Sequence, residues 1–132
     1  MANTVRAAIV QTTWTGDKES MVEKNAKYAR DAAEQGARVM INPEVVEVGG
    51  EWEYEEGCLS VPGHWWLIKR PGFARVRAMD LEGNDVEYAG DGLLGRVLQH
   101  EIDHLNQRLL IDRLDKPERK RALRDLRDEA LG

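Results

Sequence analysis

Residues 91–106, with the sequence DGLLGRVLQHEIDHLN, combine an amphipathic helix pattern with a spacing that suits metal binding. Within this predicted helix, His100 and His104 are four residues apart, so both imidazoles share a face and can reach one ion. Glu101 lies one step round the helix, where it can reach a metal-bound water without being a ligand. The apolar stripe of the helix is predicted to comprise Leu94, Val97, Leu98, Ile102 and Leu105.

A catalytic site of this kind needs a third protein ligand and an open coordination position. No histidine follows His104, so the candidates are Cys58, His64 and a carboxylate. Cys58 is the softest of these donors and binds metals as a thiolate. A lone cysteine is more often a small hydrophobic residue in a core, and a histidine beside an apolar stripe is often satisfied by a neighbour. The spacing alone leaves these alternatives open.

Composition limits the class of protein. The chain has 132 residues, which predicts one domain, and 42% hydrophobic with 33% charged residues is typical of a globular protein. One cysteine excludes an internal disulfide and fits a reducing compartment. The longest apolar runs have about five residues, too short to span a membrane. The start MANTVRAAIV does not resemble a signal peptide, so a cytoplasmic protein is expected.

The charge distribution indicates no specific nucleic-acid binding. The net charge is −5, whereas nucleic-acid binders usually carry a basic patch. Acidic residues are concentrated between Glu47 and Glu56, and this run is expected to be a solvated face.

The first 41 residues predict a β-α-β unit. Residues 5–11 suggest a short buried strand, and residues 38–41 suggest a second. Between them, residues 18–35 predict a helix with Asp17 as N-cap and Gly36 at its end. Strands joined by a helix usually pair in parallel.

The pattern changes near Asn42. Short strands are predicted at residues 45–48, 52–54, 74–80 and 85–89, separated by Gly and Pro in an antiparallel manner. A terminal helix over 116–131 opens on Pro117. The predicted class is α+β, with mixed or antiparallel sheets around a central H-E-x-x-H metal helix, an N-terminal β-α-β unit and a C-terminal helix. Residues 1–132 are expected to form a single domain with a seam between segments 1–41 and 42–132.

Two motifs resemble a known family. EGCLS (56–60) and HEIDH (100–104) are similar to the second and third signature motifs of peptide deformylases, and the likeness covers roughly residues 40–131. The resemblance implies that Cys58, His100 and His104 bind one divalent metal. Fe²⁺ is the native ion implied, and Zn²⁺, Ni²⁺ or Co²⁺ are alternatives.

The resemblance also implies a reaction, removal of the formyl group from N-formylmethionyl peptides or nascent chains. Glu101 would act as general base toward a metal-bound water, and the backbone N–H of Leu59 would stabilise the oxyanion together with the metal. We expect Gly57, Leu93 and Val97 to contact the substrate. The alternative role of Leu93 and Val97 is packing in the core. Asp103 and Gln99 are candidates to support the ligands, with a solvated or capping role as the alternative.

The N-terminal segment does not follow the deformylase pattern. The family's first motif, of the form G-x-G-x-A-A-x-Q, is absent, and residues 5–40 instead resemble the opening β-α-β of the nitrilase/ureidopropionase carbon–nitrogen hydrolases. The two resemblances together predict a chimera. Gln11 ends AAIVQ and is a candidate for the formyl-binding glutamine. Loss of an oxyanion donor costs about 10²–10³-fold in rate, so impaired turnover is one expectation.

The sequence leaves open two functions other than an active deformylase. One is a catalytically silent metal-binding chimeric fold, and the other is an interaction module. In the resembled family the C-terminal helix is associated with the ribosome, although acidic residues dilute its basic face here. Strand edges left by a borrowed half-sheet can pair between chains, which suggests a homodimer.

Overall fold

A computed structural model describes residues 16–37 and 39–131 of the chain. Its elements are α1 (Lys18–Glu34), β1 (Ile41–Gly49), β2 (Trp52–Gly57), β3 (Trp65–Arg70), β4 (Phe73–Met79), β5 (Asp85–Asp91), α2 (Gly92–Leu105), a 3-10 helix (Leu110–Arg113) and α3 (Lys116–Leu131). These elements confirm the predicted α+β class. The chain divides into two compact units, residues 1–42 with 79–85 and residues 43–78 with 86–132.

In the first unit, α1 forms where the sequence predicts it. Asp17 caps the helix by accepting a hydrogen bond from the backbone N–H of Ser20, at 2.9 Å. The helix ends before Gly36, whose φ of 84° is in the left-handed region that glycine adopts at low cost. The predicted strand at 5–11 lies outside the described residues.

The separate strand predicted at 38–41 is wrong over the residues that can be compared. Residues 39 and 40 are not in a strand, and β1 instead begins at Ile41 and continues to Gly49. Pro43 does not end it, because β1 is an edge strand in the order β1-β4-β5, where a residue without an N–H is tolerated. The strand predicted at 45–48 is therefore the second half of one longer strand.

The described strands form two sheets, one of three strands in the order β1-β4-β5 and one of β2 and β3. The connection between neighbours β4 and β5 is too short for a parallel crossover, so this pair runs antiparallel. Strands β2 and β3 are antiparallel, with Glu56 opposite Trp66 and Gly57 opposite Trp65. Strand β3 was not predicted from the sequence, although its side chains alternate between exposed and buried positions.

Helix α2 packs closely against its surroundings at Gly95. A Cβ on Gly95 would clash with the carbonyl oxygen of Gly90 and come within 3.2 Å of the backbone nitrogen of Ala74. The side that α2 buries is formed by Gly95, Arg96, Leu98, Gln99, Ile102 and Asp103.

The predicted apolar stripe of α2 is only partly correct. Leu98 and Ile102 are buried, but Leu94, Val97 and Leu105 are 42%, 45% and 65% exposed. The buried side instead includes three polar residues, because their side chains hydrogen-bond to neighbouring groups within the unit.

The core of the second unit lies under the segment that carries the cysteine. Its central cluster consists of Ile68, Leu110, Ile111, Leu114 and Ala122. Cys58, Trp66 and Leu126 pack against this cluster, so β3, the 3-10 helix and α3 together support the turn after β2. None of the helices in the described part of the chain has an apolar stretch of membrane-spanning length.

Candidate metal centre

Three side-chain donor atoms lie close together in the second unit. Cys58 follows directly after β2, while His100 and His104 lie on one face of α2. The Sγ atom of Cys58 is 3.2 Å from Nε2 of His104, and Nε2 of His104 is 3.2 Å from Nε2 of His100. All three atoms lie within 4.8 Å of one another.

The spacing of these donors fits a divalent ion. Bond lengths for a tetrahedral ion of about 2.0–2.3 Å place neighbouring ligand atoms roughly 3.3–3.6 Å apart. The observed separations of 3.2 Å are close to this spacing. One thiolate and two imidazoles suit Zn²⁺ and Fe²⁺ better than Mg²⁺ or Ca²⁺, which prefer oxygen.

His64, the other candidate ligand, is placed elsewhere. Its Nε2 atom lies 3.0 Å from a carboxylate oxygen of Glu129 on α3, and its ring stacks on Trp66 with a centroid distance of 5.5 Å. The structure thus brings together Cys58, His100 and His104 as potential ligands and leaves His64 in a different contact.

Glu56 orients His100. Its Oε2 atom lies 3.1 Å from Nδ1 of His100, on the side of the ring opposite the donor Nε2. Such a carboxylate fixes the tautomer and orientation of a metal-binding histidine. The hydrogen bond with Glu56 raises the pKa of His100 above its usual value, against the effect of desolvation.

Two arginines hold Glu56 in place. Arg70 donates to both carboxylate oxygens, at 2.8 and 3.1 Å, and Arg96 donates to Oε1. Burial opposes the charge of Glu56, but hydrogen bonds from His100, Arg70 and Arg96 lower the pKa of its carboxyl to about 2. The expectation that the acidic run ending at Glu56 is solvated is wrong at this position, because these donors compensate its burial.

The ionic network extends to Asp103. Arg70 donates to Asp103 Oδ2 at 2.7 Å, and Arg113 binds both oxygens of the same carboxylate. Burial opposes ionisation of Asp103, but the two arginines lower the pKa of its carboxyl. Asp103 therefore supports His100 indirectly, through Arg70 and Glu56.

Gln99 supports the helix rather than a ligand. Its Nε2 donates to the carbonyl oxygens of Pro71 and Gly95, both at 3.0 Å. Four charged members of the site were not predicted from the sequence: Glu56, Arg70, Arg96 and Arg113. Arg96, a charged residue within an otherwise apolar half of α2, was the signal that could have indicated a buried ion pair.

The thiol of Cys58 ionises readily. Partial burial opposes the thiolate, but hydrogen bonds from Ser60 and from the two histidines lower the pKa of the thiol to about 7. The Ser60 hydroxyl donates to Sγ at 3.1 Å. Because the thiolate is the metal-binding form, this environment prepares Cys58 as a ligand.

A cleft of about 240 Å³ lies beside the donors. Glu101 is exposed at this cleft, next to His100, and Leu93 and Val97 contribute apolar walls. Gly57 also lines it, where a Cβ would come within 2.8 Å of the Trp65 ring. Gln11 lies outside the described residues.

Leu59 lies on the turn between Cys58 and Val61. Its side chain is 79% exposed, and its backbone N–H donates no hydrogen bond to the described residues. A second cleft of about 240 Å³ borders this turn, lined by Gly57, Cys58, Leu59, Pro62, Gly63, His64 and Trp65. The Leu59 N–H is thus an available donor next to Cys58, a candidate metal ligand.

An α+β fold that gathers one cysteine and both histidines of an H-E-x-x-H helix has the donor set of a mononuclear metal site of the Cys-His-His kind. Comparison with known proteins gives a more specific result. The family model for polypeptide deformylase matches residues 5–120, and the chain belongs to this family.

Individual peptide deformylases are also similar to this chain in sequence and in structure. The chain is 42% identical over 90 residues to a peptide deformylase of Hydrogenovibrio crunogenus, covering 68% of this chain and 53% of that protein. A Legionella pneumophila deformylase structure matches with a TM-score of 0.65 at 32% identity, covering 93% of this chain and 88% of that one. A Met-Ala-Ser-bound deformylase structure from Acinetobacter baumannii matches with a TM-score of 0.56 at 40% identity, covering 58% of this chain and 49% of that one.

The chain spans about half the length of the curated relatives it matches. The family match begins at residue 5 and therefore runs through the segment that resembled carbon–nitrogen hydrolases. The comparisons give no support to a nitrilase relationship or to a chimera.

Proposed function

We propose that this protein is a metal-dependent hydrolase that removes the formyl group from N-formylmethionyl peptides. The observation that carries the proposal is the convergence of Cys58 Sγ and the Nε2 atoms of His100 and His104 beside a cleft where Glu101 is exposed. Family membership supports the same reaction. The comparisons give no support for impaired turnover or for a silent metal-binding fold.

Different residues of the chain would have different roles in this reaction. A divalent ion held by Cys58, His100 and His104 would polarise the formyl carbonyl and lower the pKa of a water molecule. Glu101 would accept a proton from the attacking water and pass it to the amine as the carbon–nitrogen bond breaks. The N–H of Leu59 would donate to the oxygen on which negative charge develops. The products are formate and a free N-terminal methionine.

The cleft supplies the binding energy for the methionine side chain in this proposal. Leu93 and Val97 are 60% and 45% exposed, and both line the cleft with Glu101. Exposed apolar side chains that converge on a concave site are typical of ligand binding. Gly57 borders the same cleft at the end of β2, where an extended peptide would pass. The Acinetobacter baumannii relative binds Met-Ala-Ser, which has the form of a deformylated product.

The identity of the metal and the wider partners are also proposals. We infer Fe²⁺ as the native ion, with Zn²⁺, Ni²⁺ or Co²⁺ able to replace it, because a mixed thiolate–imidazole set accepts all of them. A nascent chain is the proposed natural substrate, in the cytoplasm. Ribosome contact through α3 and a homodimer stay predictions of the sequence. On α3, basic side chains pair with acidic neighbours, as in Arg121–Glu118 and Arg127–Asp128.

The test is a paired measurement of metal and product. The full chain is purified anaerobically, its metal content is determined, and formate release from formyl-Met-Ala-Ser is followed. We expect one metal ion per chain and formate production that stops when a chelator removes the ion and resumes on adding Fe²⁺. Stoichiometric metal without formate would contradict the proposed activity.

A further inference from the structure

Residues 58–64 connect β2 to β3 and carry both Cys58 and Leu59. They belong to no helix or strand and form two successive turns. The N–H of Val61 donates to the carbonyl oxygen of Cys58 at 3.0 Å, and the N–H of His64 donates to that of Val61 at 3.4 Å. The Leu59 side chain is 79% exposed and does not anchor the segment. The position of the Leu59 N–H therefore depends on what holds the other residues of these turns.

His64 anchors the far end of this segment. Its Nε2 atom lies 3.0 Å from a carboxylate oxygen of Glu129, which is 65 residues away in sequence. Because a carboxylate oxygen only accepts hydrogen bonds, Nε2 of His64 is the donor. The His64 ring stacks on Trp66 with an interplanar angle of 8°, and Trp66 packs against the central cluster of the core. The segment is thereby tied to both α3 and the core.

The contact between His64 and Glu129 adds direction to this anchoring. Val61 is buried and holds the middle of the segment, but apolar contacts are not directional. A hydrogen bond has a preferred angle and fixes orientation as well as position. His64 and Leu59 border the same cleft, whose lining residues all lie within residues 57–65. A change in the orientation of the segment therefore alters this cleft and moves the Leu59 N–H.

We propose that His64 and Glu129 are positioning residues that hold the turn at Leu59 in the orientation its N–H needs to stabilise the oxyanion. This inference rests on the proposed function, in which the Leu59 N–H has that role. Loss of an oxyanion donor costs about 10²–10³-fold in rate. Loss of the Glu129 contact would loosen the turn without removing the donor, so we expect a smaller effect, of a few fold.

Amide hydrogen exchange tests the anchor without any turnover. Exchange of the Val61 and His64 N–H groups is followed by NMR on the full chain in the presence of Zn²⁺. We expect Glu129→Ala to raise both exchange rates about 2- to 5-fold, the usual size of a partly exposed contact of this kind. Glu129→Gln keeps an acceptor oxygen and should restore most of the protection.

Asp128→Ala is the matched control for these variants. Asp128 precedes Glu129 on α3, has a similar exposure and pairs with its neighbour Arg127. Its exchange rates should equal those of the wild type. In a His64→Ala background, Glu129→Ala should have no further effect on Val61, because the partner is already absent. Equal exchange in Glu129→Ala and Asp128→Ala would overturn the proposal.

Formate release from formyl-Met-Ala-Ser distinguishes a positioning role from a purely structural one. The Leu59 N–H would act on charge that develops in the transition state. Glu129→Ala should therefore lower kcat about 2- to 5-fold and leave both KM and metal content unchanged. Faster exchange with a wild-type kcat would also overturn the proposal, because the turn would then be held without serving the reaction.

The two measurements separate this proposal from the proposed function. Absence of formate from the wild-type chain would refute the reaction, and the exchange rates would still show whether Glu129 holds the turn. Formate release at equal kcat by the wild type and both alanine variants, with equal exchange rates, would leave the reaction standing and refute the role of His64 and Glu129.

Discussion

Oε2 of Glu56 lies 3.1 Å from Nδ1 of His100, and this contact joins the two motifs of the site through a buried carboxylate. Glu56 is the first residue of EGCLS, and His100 is the first residue of HEIDH. The same carboxylate binds Arg70 and Arg96, so the orientation of His100, a proposed metal ligand, depends on a network of buried charges.

Replacing Glu56 by glutamine should weaken metal binding. The loss of a carboxylate behind a ligating histidine typically lowers metal affinity by about 10- to 100-fold. Competition with a chromophoric chelator measures the affinity. Glu55→Gln is the matched control, because Glu55 is an exposed neighbour on the same strand. Equal affinities for the two variants would show that Glu56 does not orient His100.

The same variant should also be less stable. Removing one partner of a buried ion pair typically costs about 3–5 kcal/mol in the free energy of unfolding. The metal-free Glu56→Gln and Glu55→Gln proteins can be compared by urea unfolding. A Glu56→Gln protein as stable as wild type would mean that Arg70 and Arg96 find other partners.

Replacing Cys58 by serine should abolish stoichiometric metal binding. A serine hydroxyl is a poor replacement for a thiolate because it stays protonated at neutral pH. Elemental analysis after gel filtration measures the metal content. His64→Gln is the control and should keep one ion per chain, since His64 pairs with Glu129 instead. If Cys58→Ser kept its metal and His64→Gln lost it, the assignment of the third ligand would be wrong.

Replacing Glu101 by glutamine should separate metal binding from turnover. Glu101 is not among the converging donors, so metal content should be unchanged. Formate release should fall by about 10²–10⁴-fold, the usual contribution of a general base. A rate within a few fold of wild type at full metal occupancy would exclude Glu101 as the base.

Replacing Ser60 by alanine should raise the pKa of the Cys58 thiol from about 7 towards its ordinary value of 9.0. The thiolate is stabilised in the folded chain, so the stability it contributes is fully present above pH 9 and is lost as the pH falls through 7. The ultraviolet absorbance of the thiolate, followed against pH in the metal-free protein, gives the midpoint. An unchanged midpoint would mean that the Ser60 hydroxyl does not support the thiolate.

The sequence by itself determined the helix that carries the two candidate histidine ligands. Four-residue spacing puts His100 and His104 on one face of any α-helix, and the cap at Asp17 fixes the start of α1 in the same local way. These features depend on neighbours within one or two helical turns, so no knowledge of the remaining chain is needed to predict them.

Only the tertiary structure decided which distant groups meet these residues. Cys58 and His64 were both available as ligands, and packing of the turn after β2 against the core brought Cys58 to the histidines. Glu56, Arg70 and Arg96 are charged, which by itself predicts exposure. They are buried because each finds a partner 14 to 40 residues away in sequence. Such compensation depends on long-range pairing, so the local pattern around Arg96 could indicate a buried charge but not its partner.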